Sequence, residues 1–179
     1  MIIVISGPSG VGKSTIIKKI KRDSNLYFCV SSTTRKIRKG EKDGTDYNFV
    51  NNDYFNEMIE SHKLVEHEEY GGNYYGTTYS EINKEKDFDV IILDLEVNGA
   101  LKIMNDYKDS VGIFIDINND ILKERLLKRG HKDELFIKTR LDLANEQREY
   151  INAFKYHILN NNLELTVKQI NDIIYNGIL

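Results

Sequence analysis

The stretch Gly7-Pro8-Ser9-Gly10-Val11-Gly12-Lys13-Ser14 fits the pattern G-x-x-x-x-G-K-[ST] in full. An apolar run at residues 2–6 precedes it, and a helical pattern over residues 15–22 follows it. The glycines of such a loop let the backbone turn its N–H groups toward phosphate oxygens, and the following helix directs its N-terminal dipole at the same anion. The stretch therefore predicts a strand, a phosphate-binding loop and a helix that hold a nucleoside triphosphate with Mg²⁺.

Two residues of this loop have chemistry of their own. The Lys13 ammonium is expected to reach the β- and γ-phosphates, and the Ser14 hydroxyl is expected to bind Mg²⁺. The alternative is a glycine-rich turn with an incidental lysine. The predicted strand before the loop and the predicted helix after it favour the phosphate site. The predicted nucleotide contacts are Gly10, Val11, Gly12, Lys13, Ser14 and Thr15.

The rest of the chain alternates apolar runs with helical patterns. The pairs of run and helix are residues 90–93 and 97–107, residues 111–115 and 120–128, and residues 156–159 and 163–175. Short β-branched runs of this kind are typical of strands buried on both faces. The sequence thus predicts an α/β fold with three layers, in which helices cover both faces of a parallel central sheet.

Two regions break this alternation. Residues 32–80 are rich in Tyr, Gly, Asn and charge, and they predict a small mixed α/β insertion with antiparallel strands. Residues 123–142 are nearly all polar. Their ordinary interpretation is a solvated helical hairpin, and their functional interpretation is a mobile lid. The predicted core domain consists of residues 1–31, 81–122 and 143–179.

Composition excludes several classes of protein. The 179 residues carry 30% charged and 40% hydrophobic side chains, which is typical of one globular domain. The net charge of -3 argues against a protein that coats nucleic acid or an anionic membrane. A single cysteine, Cys29, excludes an internal disulfide and a Cys-rich zinc site. No apolar run is long enough for a signal peptide or a membrane span, so a cytoplasmic location is expected.

Arginine is scarce, with 7 Arg against 18 Lys. A preference for lysine codons in an AT-rich genome is the simplest explanation. The positions that keep arginine then become candidates for phosphate binding, because lysine cannot replace the planar guanidinium fork.

The segment after the first helix has a distinctive set of residues: Ser31-Ser32-Thr33-Thr34-Arg35, Arg38, Gly40-Glu41 and Gly44-Thr45-Asp46-Tyr47-Asn48-Phe49-Val50. The set continues at Glu66, Gly72-Asn73-Tyr74-Tyr75-Gly76-Thr77 and Ile92-Leu93-Asp94-Leu95-Glu96. These residues resemble the nucleotide-acceptor region of the guanylate kinases. The resemblance runs in register over nearly the whole chain and is far more specific than the phosphate loop alone.

The resemblance implies a GMP site in the insertion. The residues expected to hold the GMP phosphate are Arg35, Arg38, Tyr47 and Tyr75. The residues expected to surround the guanine are Ser31, Glu66, Thr77 and Glu96, with Glu96 standing where the family usually has Asp. Asp94 is expected near the Mg²⁺ hydration shell or the acceptor.

The resemblance also implies which residues act on the transferred phosphoryl group and on ATP. The expected catalytic residues are Lys13, Arg38, Arg129 and Arg140. Arg125 is expected beside the ATP phosphates, and Asn160 and Asn161 are expected at the adenine. Positive charge around the transferring group is what phosphoryl transfer mainly needs.

The expected activity is the ATP-dependent phosphorylation of GMP, and also of dGMP, by a monomer or homodimer with Mg²⁺. One alternative is a related kinase that phosphorylates a ribose phosphate. Another is a non-catalytic guanylate-kinase-like module that binds a phosphorylated peptide, although such modules generally lack an intact phosphate loop.

Overall fold

The computed structural model describes residues 1–21, 24–128 and 133–176. The strands are β1 (Ile2–Ser6), β2 (Leu26–Phe28), β3 (Ser32–Thr33), β4 (Asn48–Phe49), β5 (Leu64–Tyr70), β6 (Asn73–Thr78), β7 (Val90–Asp94), β8 (Val111–Asp116) and β9 (Tyr156–Leu159). The helices are α1 (Lys13–Lys19), α2 (Asn52–Glu60), α3 (Tyr79–Ile82), α4 (Val97–Asp106), α5 (Asn119–Lys128), α6 (Glu134–Arg148) and α7 (Leu163–Asn176). Single 3₁₀ turns lie at Asn83–Lys86 and Ile151–Ala153.

A five-stranded parallel sheet of order β2-β7-β1-β8-β9 forms the centre of the molecule. Alternate residues of each strand face opposite sides, so β1 sends Ile3 and Ile5 to one side and Ile2 and Val4 to the other. The first side is covered by α1, α5, α6 and α7, and the second by α3 and α4. This double burial explains the continuous apolar runs and confirms the predicted three-layer α/β fold.

The insertion forms a second, mixed sheet of order β4-β3-β6-β5. Strands β3 and β4 are parallel, whereas β6 is antiparallel to both β3 and β5. Helix α2 packs Phe55 and Met58 against this sheet, and the Asn51 side chain caps the helix by accepting the Tyr54 N–H. The expected mixed insertion is therefore present, with its strands and helix α2 between residues 32 and 78, while the domain limits 32 and 80 stay a prediction.

Element limits differ from the predicted ones at a few points. Helix α1 begins at Lys13, two residues before the predicted start, because Gly12 already accepts the N–H groups of Thr15 and Ile16. Helix α1 ends at Lys19, before the predicted end at Arg22, because the backbone of Ile20 turns to extended angles (φ -58°, ψ 133°). The predicted lid limits, residues 123 and 142, lie inside α5 and α6 and coincide with the end of neither helix. The extent of the lid therefore stays a prediction. No helix of the described ranges has the length and apolar character to cross a membrane.

Candidate active site

A polar cleft lies where β1 and β7 end and the second sheet begins. The carboxyl ends of parallel strands are where ligands bind in open α/β sheets. Fourteen of the predicted site residues line this cleft: Gly10, Gly12, Lys13, Ser14, Thr15, Ser31, Arg35, Arg38, Tyr47, Glu66, Tyr75, Asp94, Glu96 and Arg140. Residues from the phosphate loop and from the insertion thus face one space.

The loop between β1 and α1 has a backbone that only glycine adopts easily. Gly7 has φ 136° and Gly12 has φ 106°. A Cβ on Gly7 would overlap the carbonyl oxygen of Ile115 in β8, and one on Gly12 would lie 2.7 Å from Nδ2 of Asn160. Glycine is therefore required at both positions for the loop to pack against the sheet and against the β9–α7 turn.

Lys13 is a buried cation at the floor of the cleft. Its Nζ donates a hydrogen bond of 2.6 Å to the Gly7 carbonyl. Burial acts to lower the pKa of Lys13, but the carboxylates of Glu96 and Asp94 outweigh it and raise the pKa above its ordinary value. Lys13 therefore keeps its charge when buried.

Ser14 and Asp94 offer oxygen ligands to the same space. The Ser14 residue is exposed at the start of α1, and both residues line the cleft. Burial raises the pKa of Asp94 to about 6, while Lys13 lowers it and Glu96 raises it. Residues 1–21, 24–128 and 133–176 contain no group of three or more His, Cys, Asp or Glu side chains that could hold a metal ion by themselves. The donor set instead suits Mg²⁺, which typically takes one or two protein oxygens together with phosphates and water.

Arg125 and Asn160 hold the phosphate loop from behind. The Arg125 guanidinium donates to the carbonyls of Val11 (2.7 Å) and Asn160 (3.1 Å), and the Asn160 amide also donates to the Val11 carbonyl at 2.7 Å. A second cavity lies on this side of the loop, lined by Gly10, Gly12, Thr15, Arg125, Lys128, Asn160 and Leu163. Oδ1 of Asn160 is buried there without a hydrogen-bond partner, whereas Asn161 is exposed and lines neither cavity.

The deep end of the cleft in the insertion is built around Glu66. Glu66 is 3% exposed and lies against α4, where a Cβ on Gly99 would come within 2.5 Å of Oε2. Burial raises the pKa of Glu66 to about 7, although hydrogen bonds from the side chain and the backbone N–H of Thr77 act to lower it. Its Oε1 is buried without a hydrogen-bond partner. Ser31 lines this end, and its hydroxyl lies 2.9 Å from that of Thr77, which is fully buried and does not line the cleft.

The opposite end of the insertion holds Arg35 and two tyrosines. The two terminal nitrogens of Arg35 each donate to the Glu41 carboxylate at 3.0 Å. The Arg35 guanidinium also lies 5.3 Å from the ring centre of Tyr47, and the ring centres of Tyr47 and Tyr75 are 6.0 Å apart. Arg38 is exposed beside them and lines the same cleft. The four residues expected at the GMP phosphate are thus gathered at one place.

Arg140 reaches the cleft from α6. Its guanidinium lies 5.0 Å from the ring centres of both Tyr70 in β5 and Phe136 in its own helix. Arg140 therefore links the segment predicted as a lid to the insertion. Arg129 lies outside the described residues.

Several residues of the cleft are not among the sequence predictions. These are Ser9, Glu68, Tyr70 and Asn73 from the cleft wall. Gln147 does not line the cleft, but its amide donates to Glu96 at 3.4 Å. The alternation of β5 could have identified Glu68 and Tyr70, because they share a strand face with Glu66. No sequence signal indicates Gln147, which reaches Glu96 from a distant helix.

Comparisons with known proteins agree with this geometry. A family model described as guanylate kinase matches residues 1–176. The guanylate kinase of Halalkalibacterium halodurans is 40% identical over 177 residues, which cover 97% of this chain and 87% of that protein. The guanylate kinase of Clostridium tetani is 37% identical over 179 residues, covering 97% of this chain and 85% of that protein.

A solved structure shows the same likeness in three dimensions. The crystal structure of guanylate kinase from Anaplasma phagocytophilum matches with a TM-score of 0.79 and 30% sequence identity, over 99% of this chain and 85% of that chain. Because the family model covers nearly every residue and the relatives match almost end to end, the chain belongs to the guanylate kinase family.

Proposed function

We propose that the chain transfers the γ-phosphate of ATP to GMP in the cleft described above, forming ADP and GDP. Membership of the guanylate kinase family makes the chain a nucleoside monophosphate kinase and does not favour a ribose-phosphate kinase or a non-catalytic module. The observation that carries the residue assignment is the buried Oε1 of Glu66, which has no hydrogen-bond partner in the same cleft as Lys13. A buried acceptor of this kind fits a ligand that brings its own donors.

Guanine supplies those donors. Its N1–H and its exocyclic N2 amino group can both donate to the Glu66 carboxylate, and adenine offers neither at that edge. AMP would leave a desolvated carboxylate facing an acceptor, which costs at least about 1–3 kcal/mol. The Ser31 and Thr77 hydroxyls and the Glu96 carboxylate are proposed as the remaining base contacts.

The GMP phosphate is assigned to Arg35, Arg38, Tyr47 and Tyr75. Guanidinium groups bind phosphate bidentately, and phenol hydroxyls add neutral donors. The Glu41 carboxylate accepts hydrogen bonds from both terminal nitrogens of Arg35, and the rings of Tyr47 and Phe49 lie against the Arg35 guanidinium. The arginine is therefore fixed in position before the phosphate arrives.

ATP is assigned to the loop residues Gly10 to Thr15, with its β- and γ-phosphates at Lys13. Arg125 and Asn160 keep the loop in place through the Val11 carbonyl, and the cavity behind them is proposed for the adenosine part. Asn161, next to Asn160 in the chain, is proposed as a further contact to the adenine. Mg²⁺ is assigned to the Ser14 hydroxyl, with Asp94 near its hydration shell. When bound, Mg²⁺ would neutralise charge on the β- and γ-phosphate oxygens.

The protein's own part in the transfer is positioning and charge. Lys13, Arg38, Arg129 and Arg140 would place positive charge on the transferring group, and phosphoryl transfer needs little covalent help. The segment 123–142 is proposed as the lid that brings Arg129 and Arg140 onto the nucleotides. Its closure would exclude water that otherwise hydrolyses ATP.

A coupled assay of ADP release tests the activity directly. GMP, dGMP, AMP, UMP and CMP are compared as acceptors at saturating ATP and Mg²⁺. We expect turnover on GMP and dGMP and at least tenfold lower kcat/KM on AMP. Equal turnover on AMP and GMP would contradict the proposal, and ATP binding without transfer to any acceptor would favour the binding module. Glu66→Gln should reduce the preference for GMP over AMP, whereas Glu60→Gln, on the exposed end of α2, should not.

A further inference from the structure

Glu68 lines the cleft and has no part in the assignments above. It lies on the same face of β5 as Glu66 and Tyr70, because alternate residues of a strand share a face, and all three line the cleft. The next residue, Glu69, points to the other face and is exposed. The strand itself therefore directs Glu68 into the cleft.

The fold compensates the Glu68 carboxylate only in part. Its Oε1 is buried without a hydrogen-bond partner. Burial, Glu96 and Glu66 act to raise the pKa of Glu68, a hydrogen bond from the Asn98 side chain and the charge of Lys13 act to lower it, and the resulting pKa is about 7. Lys13 itself donates to the Gly7 carbonyl at 2.6 Å. A buried acceptor among like charges costs stability, which indicates a role toward a ligand.

The neighbours of Glu68 place it between the base end of the GMP site and the phosphate groups. Glu66 lies opposite Thr77 at the base end, and Glu68 is the next residue on the same strand face toward the phosphate end, opposite Tyr75. The Glu68 carboxylate interacts electrostatically with Glu66 and Glu96 on the base side and with Lys13 on the phosphate-loop side. The two glutamates are about 7 Å apart along the strand. In a nucleotide whose base contacts Glu66 and whose phosphate contacts Tyr75, the part between these points is the ribose.

We infer that Glu68 accepts a hydrogen bond from a ribose hydroxyl of GMP and thereby favours the ribonucleotide over its deoxy analogues. The inference rests on the proposed GMP site. A carboxylate forms strong hydrogen bonds with hydroxyl donors, and a site built for a hydroxyl rejects the analogue that lacks it. dGMP remains a substrate, with a lower kcat/KM than GMP.

The test compares kcat/KM for GMP, 2′-deoxy-GMP, 3′-deoxy-GMP and IMP. The proteins are the wild type, Glu68→Ala and the matched control Glu69→Ala. We expect the wild type and the control to prefer GMP over at least one deoxy analogue by roughly tenfold or more. Glu68→Ala should bring kcat/KM for GMP and for that analogue to the same level, because the carboxylate that separates them is gone. The ratio of GMP to IMP should stay constant, because IMP differs from GMP only in the base.

Three results would overturn the ribose contact alone, each with a wild type active on GMP. In the first, the wild type shows no preference for GMP over either deoxy analogue. In the second, that preference persists in Glu68→Ala. In the third, Glu68→Ala lowers the ratio of kcat/KM for GMP to that for IMP and leaves the ratio for the deoxy analogues unchanged. A wild type inactive on GMP would overturn the proposed function together with this inference. If Glu68→Ala fails to fold, Glu68→Gln replaces it. The neutral amide should also reduce the preference for GMP, because it is a weaker acceptor, and an unchanged preference would overturn the inference.

Discussion

The carboxylate of Glu41 holds both terminal nitrogens of Arg35, each at 3.0 Å, and also accepts the backbone N–H of Arg38 at 2.7 Å. The two side chains are 17% and 11% exposed, so this ion pair is largely shielded from water. Burial acts to raise the pKa of Glu41, but Arg35 and Arg38 outweigh it and lower the pKa. One acidic residue thus positions both arginines that are proposed to bind the GMP phosphate.

Replacing Glu41 should weaken GMP binding without affecting ATP. Glu41→Gln removes the charge that holds Arg35, and we expect KM for GMP to rise roughly tenfold, since hydrogen bonds between charged groups are worth about 1.5–3 kcal/mol. KM for ATP should stay within about twofold. Steady-state kinetics with each substrate varied measures both values. Glu57→Gln, which breaks an exposed ion pair with Lys63 in the same insertion, is the control, and equal effects of both variants would refute the positioning role.

Glu66 should make stability depend on pH. Its pKa is about 7 in the folded protein against an ordinary value of 4.5, so the folded state binds the proton more tightly than the unfolded state does. The resulting stabilisation is fully present below pH 4.5 and is lost as the pH rises through about 7. Glu66→Gln lacks this dependence, so its free energy of unfolding should gain roughly 2–3 kcal/mol relative to the wild type between pH 5 and 8. Denaturant unfolding at both pH values measures the difference, and parallel pH profiles would contradict the burial of an ionisable Glu66.

Lys13 should be needed for transfer far more than any other lysine of α1. Lys13→Met removes the charge proposed to lie on the β- and γ-phosphates, and we expect kcat to fall by about 10²–10³-fold. Lys19→Met, on the exposed side of the same helix, should leave kcat unchanged. Rapid-quench measurement of the first turnover separates this step from product release. A kcat within threefold of the wild type in Lys13→Met would exclude Lys13 from the transfer.

Arg125 should act through the shape of its guanidinium. Its two nitrogens bridge the carbonyls of Val11 and Asn160, and a lysine ammonium cannot reproduce this planar fork. We expect Arg125→Lys to raise KM for ATP about tenfold and to leave KM for GMP unchanged. If Arg125→Lys behaves as the wild type, charge alone is sufficient and the bridge is not required.

The sequence predicted the core of the molecule well because its signals are local. β9 spans the predicted residues 156–159, and β1 matches the apolar run before the phosphate loop. Each of these strands is identified by its own side chains. Those of β1 are all buried, whereas β9, at the edge of the sheet, buries Ile158 and leaves Leu159 exposed. The start of α1 was missed by two residues because the glycines of the loop already turn into the helix.

The contacts between distant segments could not be predicted in the same way. The pairing of Arg35 with Glu41 depends on how the turn between them folds, and the hydrogen bond from Gln147 to Glu96 joins α6 to the end of β7. Asn160 and Asn161 are adjacent in sequence, yet one is buried against the phosphate loop and the other is exposed. Glu68 was separable from Glu69 by strand alternation, but only once the strand limits were fixed.

A crystal structure of the protein with GMP tests the assignment of guanine to Glu66, because it locates the base, the ribose and the phosphate at once. We predict that guanine N1 and N2 lie within 3.2 Å of the Glu66 carboxylate, with the phosphate within hydrogen-bond distance of Arg35, Tyr47 and Tyr75. GMP bound with its base away from Glu66, or with its phosphate away from Arg35, would contradict the account.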